Sequence, residues 1–107
     1  MKINNLSKIF KINDLVNYQE GSIVSKTVLN EDNGTITLFG FDEGQSLSEH
    51  TAPFDALLYI IDGKAEIIIS GKKYLLNKDE FIIMPKNEPH AVNSINKFKM
   101  MLIMIKS

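Results

Sequence analysis

From Ser22 onward the chain is a succession of short β-rich runs, each closed by a turn signal. The runs are residues 23–29, 35–41, 57–61, 65–70, 74–76, 81–84, 91–93 and 98–105. Between them stand Glu31-Asp32-Asn33-Gly34, Asp42-Glu43-Gly44, Asp62-Gly63 and Gly71. Asp-Gly between two such runs predicts a hairpin, because a type I′ turn needs positive φ at its central residues. Many short strands with regular turns and no long helical pattern predict an all-β sandwich or barrel. The first twenty residues read as an N-terminal arm, with a short helical turn where Asn13-Asp14 precedes Leu15, Val16 and Tyr18. Residues 21–107 are expected to form one barrel domain.

Two runs do not alternate. Residues 57–61 (Leu-Leu-Tyr-Ile-Ile) and 100–105 (Met-Met-Leu-Ile-Met-Ile) are apolar on both faces. In a chain of 107 residues one face can line a barrel interior. The other needs a second sheet, the N-terminal segment or another subunit to cover it. A homodimer is therefore expected.

Net charge is -1, and all twelve basic residues are lysine. With neither a basic excess nor arginines among surface aromatics, nucleic acid is not an expected partner. The absence of cysteine excludes disulfides, thiolate nucleophiles and Cys-zinc sites. The longest apolar runs, 56–61 and 100–105, are too short to cross a bilayer as helices. The opening MKINNLSKIFK has no apolar stretch of leader length, so a cytoplasmic protein with no membrane partner is expected. There is no G-x-S-x-G elbow and no glycine-rich phosphate loop before a helix.

Chemistry then rests on two histidines, His50 and His90. His50 opens the stretch EHTAPFDALLYIIDGK, in which Ala52 and Ala56 follow it. Period-2 parity continues from there through Leu58 and Ile60 toward the interior. Imidazole titrates near neutral pH and so offers both acid-base chemistry and hydrogen bonding.

The order of these signals resembles the cupin family. That family's first motif runs Gly, five residues, His-x-His, three or four residues, Glu, six residues, Gly. Here Gly44 is followed by five residues and His50, and Asp62-Gly63 closes the stretch after Tyr59-Ile60-Ile61. The second motif runs Gly, five residues, Pro-x-Gly, two residues, His, three residues, Asn. Here Lys78-Asp79, Pro85, Asn87, Pro89-His90 and Ser94 take those places. Asn for Gly is a mild change, since both tolerate positive φ. The resemblance implies a small double-stranded β-helix, or jelly-roll barrel, that commonly pairs as a dimer.

It also implies a metal held by two histidines and a carboxylate of the first motif and one histidine of the second. In this chain those four positions read His50, Ala52, Ala56 and His90. Asp55 and Glu49 neighbour the missing positions with the wrong strand parity. Gln45 stands in the loop before His50, and Met84, Met100 and Met104 add thioethers on strands. Two imidazoles would hold a divalent ion (Zn, Ni, Fe, Mn or Cu) only weakly.

The leading expectation is a barrel that binds a small, largely apolar organic molecule. His50, Ala52, Ala56, Leu58, Ile60, Met84, His90 and Met104 would line its site, with the histidines as polar contacts. One alternative is a metal-dependent cupin enzyme (oxygenase, decarboxylase or isomerase) using His50 and His90. Another is an inert or regulatory dimeric barrel.

Overall fold

The computed structural model describes residues 6–106. A single 3-10 turn, Ile12–Asp14, precedes seven strands. These are β1 (Ile23–Glu31), β2 (Gly34–Phe41), β3 (Ser46–His50), β4 (Asp55–Ile69), β5 (Lys72–Asn77), β6 (Phe81–Met84) and β7 (His90–Ile105). All pairings are antiparallel. The fold is an all-β jelly roll, the architecture that the sequence resemblance implies.

Two long strands make the layers. The first half of β4 lies between β6 and the second half of β7, and β7 in turn pairs with β2 and β2 with β1. The second half of β4 lies between β5 and the first half of β7, which pairs with β3 on its other side. Both strands therefore pass from one layer into the other. Between the layers sit Phe41, Leu58, Ile60, Ala65, Ile67, Phe98 and Met100, each at most 1% exposed. Phe41 and Phe98 stack with ring centroids 4.4 Å apart.

The change of layer explains where the sequence reading erred. Asp62-Gly63 is not a hairpin turn; it lies inside β4. Ile60 pairs with Met100 but Asp62 pairs with Lys99, so β4 carries one extra residue there. Interior residues are accordingly even-numbered before the bulge (Ala56, Leu58, Ile60) and odd-numbered after it (Ala65, Ile67, Ile69). The positive φ expected of Gly63 is present, at 80°. A β-bulge uses it as readily as a type I′ turn does. The true β4–β5 hairpin is Ser70-Gly71, with φ of 49° and 81°.

Residues 91–93 and 98–105 likewise belong to one strand rather than two. Gly63 pairs with Phe98 but Ala65 with Ser94, so the excess on that side falls in β7. Residues 46–50, outside the runs read in the sequence, form β3. The expected helical turn near Asn13 is the 3-10 turn.

The N-terminal segment covers part of the outer face. Val16, 2% exposed, packs with Leu38 and Ile61. Tyr18 donates a hydrogen bond to Asp62 Oδ2 at 2.8 Å, and buried Lys99 donates Nζ–H to the Asn13 carbonyl at 2.7 Å. Fully burying a valine is worth about 1.5–3 kcal/mol, so this contact fixes the arm as well as shielding the sheet. Among the described residues no helix is long and apolar enough to cross a membrane.

Candidate ligand site at the His50–His90 pair

β3 and the start of β7 bring the two histidines together. His50 pairs directly with His90 in the antiparallel ladder, and directly opposed residues project on the same side of a sheet. That side is the interior one, because His90 alternates with Val92 and opposes Ile69, both core residues. The ring centroids are 4.3 Å apart and the planes meet at 67°. His90 is 7% exposed, whereas His50 is exposed to solvent. The pair thus runs from the protein interior to its surface.

Each ring is held through Nδ1 by a carbonyl two residues back. His50 Nδ1 lies 2.8 Å from the Ser48 carbonyl, and His90 Nδ1 lies 3.3 Å from the Glu88 carbonyl. Burial pushes the His90 imidazole below its usual pKa, and His50 adds to the effect; the Glu88 carbonyl works in the other direction.

Ala56 is 5% exposed and pairs with Met84 on one side and Met104 on the other. Met104 pairs in turn with Thr35. Leu58 pairs with Ile82 and Leu102, and Ile60 with Met100. Met84, Ala56, Leu58 and Ile60 are core members, and Met104 packs against them. Ala52 is half-buried, and its carbonyl accepts the Asn87 N–H at 2.7 Å. Asn87 has the positive φ, 65°, that the second motif's glycine position requires.

The other polar neighbours of the motif lie elsewhere. Gln45 is not beside the histidines: its carbonyl accepts the Ser94 N–H, four residues along β7 from His90, or about 13 Å of strand. Asp55 is exposed and its Oδ1 accepts the Lys86 N–H at 2.9 Å. Glu49 is exposed. Among the described residues no three His, Cys, Asp or Glu side chains group to hold a metal ion. The donor set therefore does not fit the four-ligand metal shell that the sequence resemblance implies.

Two inward hydroxyls were missed in the sequence. Thr35 and Thr37 share the face of Phe39 and Phe41, opposite Met104 and Leu102. Thr35 Oγ1 is buried without a hydrogen-bond partner. The alternation Thr-Ile-Thr-Leu-Phe-Gly-Phe carried that signal, since period 2 places all four on one side.

Three surface grooves lie away from this pair, and neither histidine lines them. One runs between the arm and β1, one between β5 and β6, and one beside Gly34.

A protein-family model described as "Cupin domain" matches residues 37–106. The chain belongs to the cupin family. A cupin superfamily protein from Desulfitobacterium hafniense is 27% identical, with a TM-score of 0.91 and 100% of each chain covered. A cupin 2 conserved barrel domain protein from Leptotrichia buccalis is 41% identical with a TM-score of 0.88, over 91% of this chain and 47% of that one. The tetracenomycin polyketide synthase protein TcmJ of Streptomyces glaucescens is 31% identical over 52 residues. That match spans 48% of this chain and only 35% of TcmJ.

Proposed function

We propose that this cupin binds a small, largely apolar organic molecule against its interior wall, with His50 and His90 as the polar contacts. The observation that carries this is the paired histidines, one buried and one open to solvent, on the interior side of a barrel whose core includes Ala56, Leu58, Ile60 and Met84, with Met104 packed against it. Alanine at positions 52 and 56 leaves the wall apolar where the family's metal shell would place an imidazole and a carboxylate. The distant likeness to a polyketide synthase protein agrees with an organic ligand of this kind. A metal-dependent enzyme finds less support, because among the described residues no third His, Cys, Asp or Glu groups with the two imidazoles.

The test is a thermal-shift screen of small apolar compounds, followed by NMR on protein labelled at its methionine and leucine methyls and its aromatic and imidazole rings. Hits should move the Met84 and Met104 methyls and the two imidazoles. Hits that move only Leu75 and Phe81, in the β5–β6 groove, would overturn the reading.

We infer also that a second copy of the chain covers the outer face. Ile83, Leu57, Ile103, Ile36 and Leu29 form one aliphatic row across β6, β4, β7, β2 and β1. Ile83 is 56% exposed, and Phe81 and Ile105, each 57% exposed, extend the patch. Five strands make a strip about 24 Å long and, at two residue rows, about 14 Å wide. That is under half of the ~800 Å² per partner of a standard interface. The exposed arm residues Leu6, Ile9, Phe10 and Ile12 supply the remainder when they cross to the second copy. Lys26 at the β1 end and Asp79 at the β6 end give a two-fold pairing opposite charges at its rims.

A further inference from the structure

We propose that the ligand meets the histidine pair with a hydroxyl donor on an aromatic ring, a phenol or its enol equivalent, and not with a carbonyl or ether oxygen. This rests on the interior-binding reading above and narrows it to a chemical class.

The reasoning starts from the backbone. A carbonyl oxygen only accepts hydrogen bonds. Both Nδ1 atoms are held by carbonyls, those of Ser48 and Glu88, so each Nδ1 carries the hydrogen. In a neutral imidazole the other nitrogen is then an acceptor. His50 and His90 therefore both present Nε2 as a lone pair, and among the described residues neither Nε2 is hydrogen-bonded. Two acceptors side by side, 4.3 Å between ring centroids, have nothing to give a carbonyl. They require a group that brings its own hydrogen.

The surroundings of His90 favour its neutral state. His90 is enclosed by Val92 and Ile69, and a second positive ring at this spacing would repel the first. Of the acids nearest the pair in sequence, Glu49 is exposed and Glu88 has its Oε2 accepting the Ser70 hydroxyl at 3.1 Å.

The rest of the wall selects the body that carries the hydroxyl. Met84 and Met104 flank Ala56, and thioethers make favourable contacts at aromatic ring edges. Phenols are also more acidic than aliphatic alcohols, so their hydrogen bonds to imidazole nitrogen are the stronger. One buried hydrogen bond of this type is worth about tenfold in affinity, or ~1.4 kcal/mol.

The experiment uses the full chain and two probes of nearly equal shape, 1-naphthol and 1-methoxynaphthalene. Long-range proton–nitrogen NMR of the imidazoles first reads the tautomers; both should carry hydrogen on Nδ1. Calorimetry should then show 1-naphthol binding about tenfold more tightly than its methyl ether. His90→Phe, which keeps a flat ring and removes the Nε2 acceptor, should shrink that ratio toward one. Hydrogen found on either Nε2, or equal affinity for the two probes in the parent, overturns the donor rule and leaves interior binding standing. Failure of both probes to bind, while unrelated apolar compounds also leave the Met84 and Met104 methyls unmoved, overturns the interior-binding reading and this inference together.

Discussion

His50 and His90 face each other across the β3–β7 ladder, edge to face, with 4.3 Å between their ring centroids. His50 meets solvent and His90 does not. The asymmetry matters, because burial sets the cost of charging a ring. One member of the pair resists protonation while the other stays open to whatever enters from solvent.

That asymmetry predicts a stability profile. The His90 pKa is lowered from the ordinary 6.5, first by burial and then by His50, against the Glu88 carbonyl. The unfolded chain therefore binds more protons than the folded one as pH falls below about 6.5, and stability rises with pH through that range. The contribution is fully present above the unfolded value and is lost as pH drops through the lowered folded one. His50 from β3 is the titratable group against the ring; the preceding turn presents the Glu88 backbone carbonyl, the Glu88 carboxylate accepts from Ser70, and β4 opposes the ring with apolar Ile69. Melting temperature should fall as buffer pH is taken from 7.5 to 5, and His90→Gln should flatten that slope. An unchanged slope in the variant would assign the pH effect to other groups.

Gly63 is the residue on which the change of layer turns. A Cβ there would run into the Lys97 carbonyl oxygen and lie 2.9 Å from Phe98 Cα, at a φ of 80°. Left-handed backbone costs a non-glycine residue about 1–2 kcal/mol before any clash, and backbone atoms cannot step aside as a flexible side chain would. Gly63→Ala should therefore cost at least about 2–4 kcal/mol in urea denaturation. Gly71→Ala, where nothing lies within 4 Å of the added Cβ, should cost only the φ penalty. Equal losses at the two sites would show that conformational freedom alone, without close approach, accounts for Gly63.

Much of this architecture was readable, for reasons that differ by element. Residues 81–84 stood out as a strand because β-branched and aromatic residues were bounded by turn formers. Asn87 was legible as a positive-φ position from its place in the motif. The Asp62-Gly63 bulge was not, because the local requirement for positive φ is the same in a bulge as in a hairpin. Only the pairing of β4 with β7 on both sides of it separates the two. The His50–His90 contact was foreseeable through motif spacing. The exposure of His50 was not, since it depends on β3 lying at the edge of its layer, beyond β7. Thr35 and Thr37 were overlooked although strand parity placed them with Phe39 and Phe41.

The outer aliphatic row predicts association. Light scattering at micromolar concentration should give about twice the chain mass. Ile83→Glu places a charge at a site 56% exposed, where a monomer would tolerate it within about 0.5 kcal/mol. The variant should remain folded and fall to the chain mass. Removing residues 1–11 should have the same effect, because the arm supplies the area that the strip lacks. A parent that is monomeric throughout would mean that the row stays exposed.

The last prediction concerns the metal shell, and it runs in both directions. His50 and His90 offer two imidazoles, while Ala52 and Ala56 hold the positions where the family resemblance implies another imidazole and a carboxylate. Ala52→His with Ala56→Glu rebuilds that set. The two changes are not equivalent. Ala52 is half-buried in a loop and should accept an imidazole easily. Ala56 is 5% exposed between Met84 and Met104, so an unpaired carboxylate there would be driven from water at a cost of several kcal/mol. Methionines are pliable, and strain from volume alone should stay near 1–3 kcal/mol. The metal-free double variant should therefore melt well below the parent. Added Zn, Ni or Mn should restore it, because a ligand bound only by the folded state stabilises that state by mass action. The parent should show little change with the same ions. Calorimetric titration of both proteins, purified without a histidine tag, reads the affinities directly. If the parent binds as tightly as the variant, two histidines are enough to hold the ion, and the enzyme alternative gains the footing that the present donor set denies it.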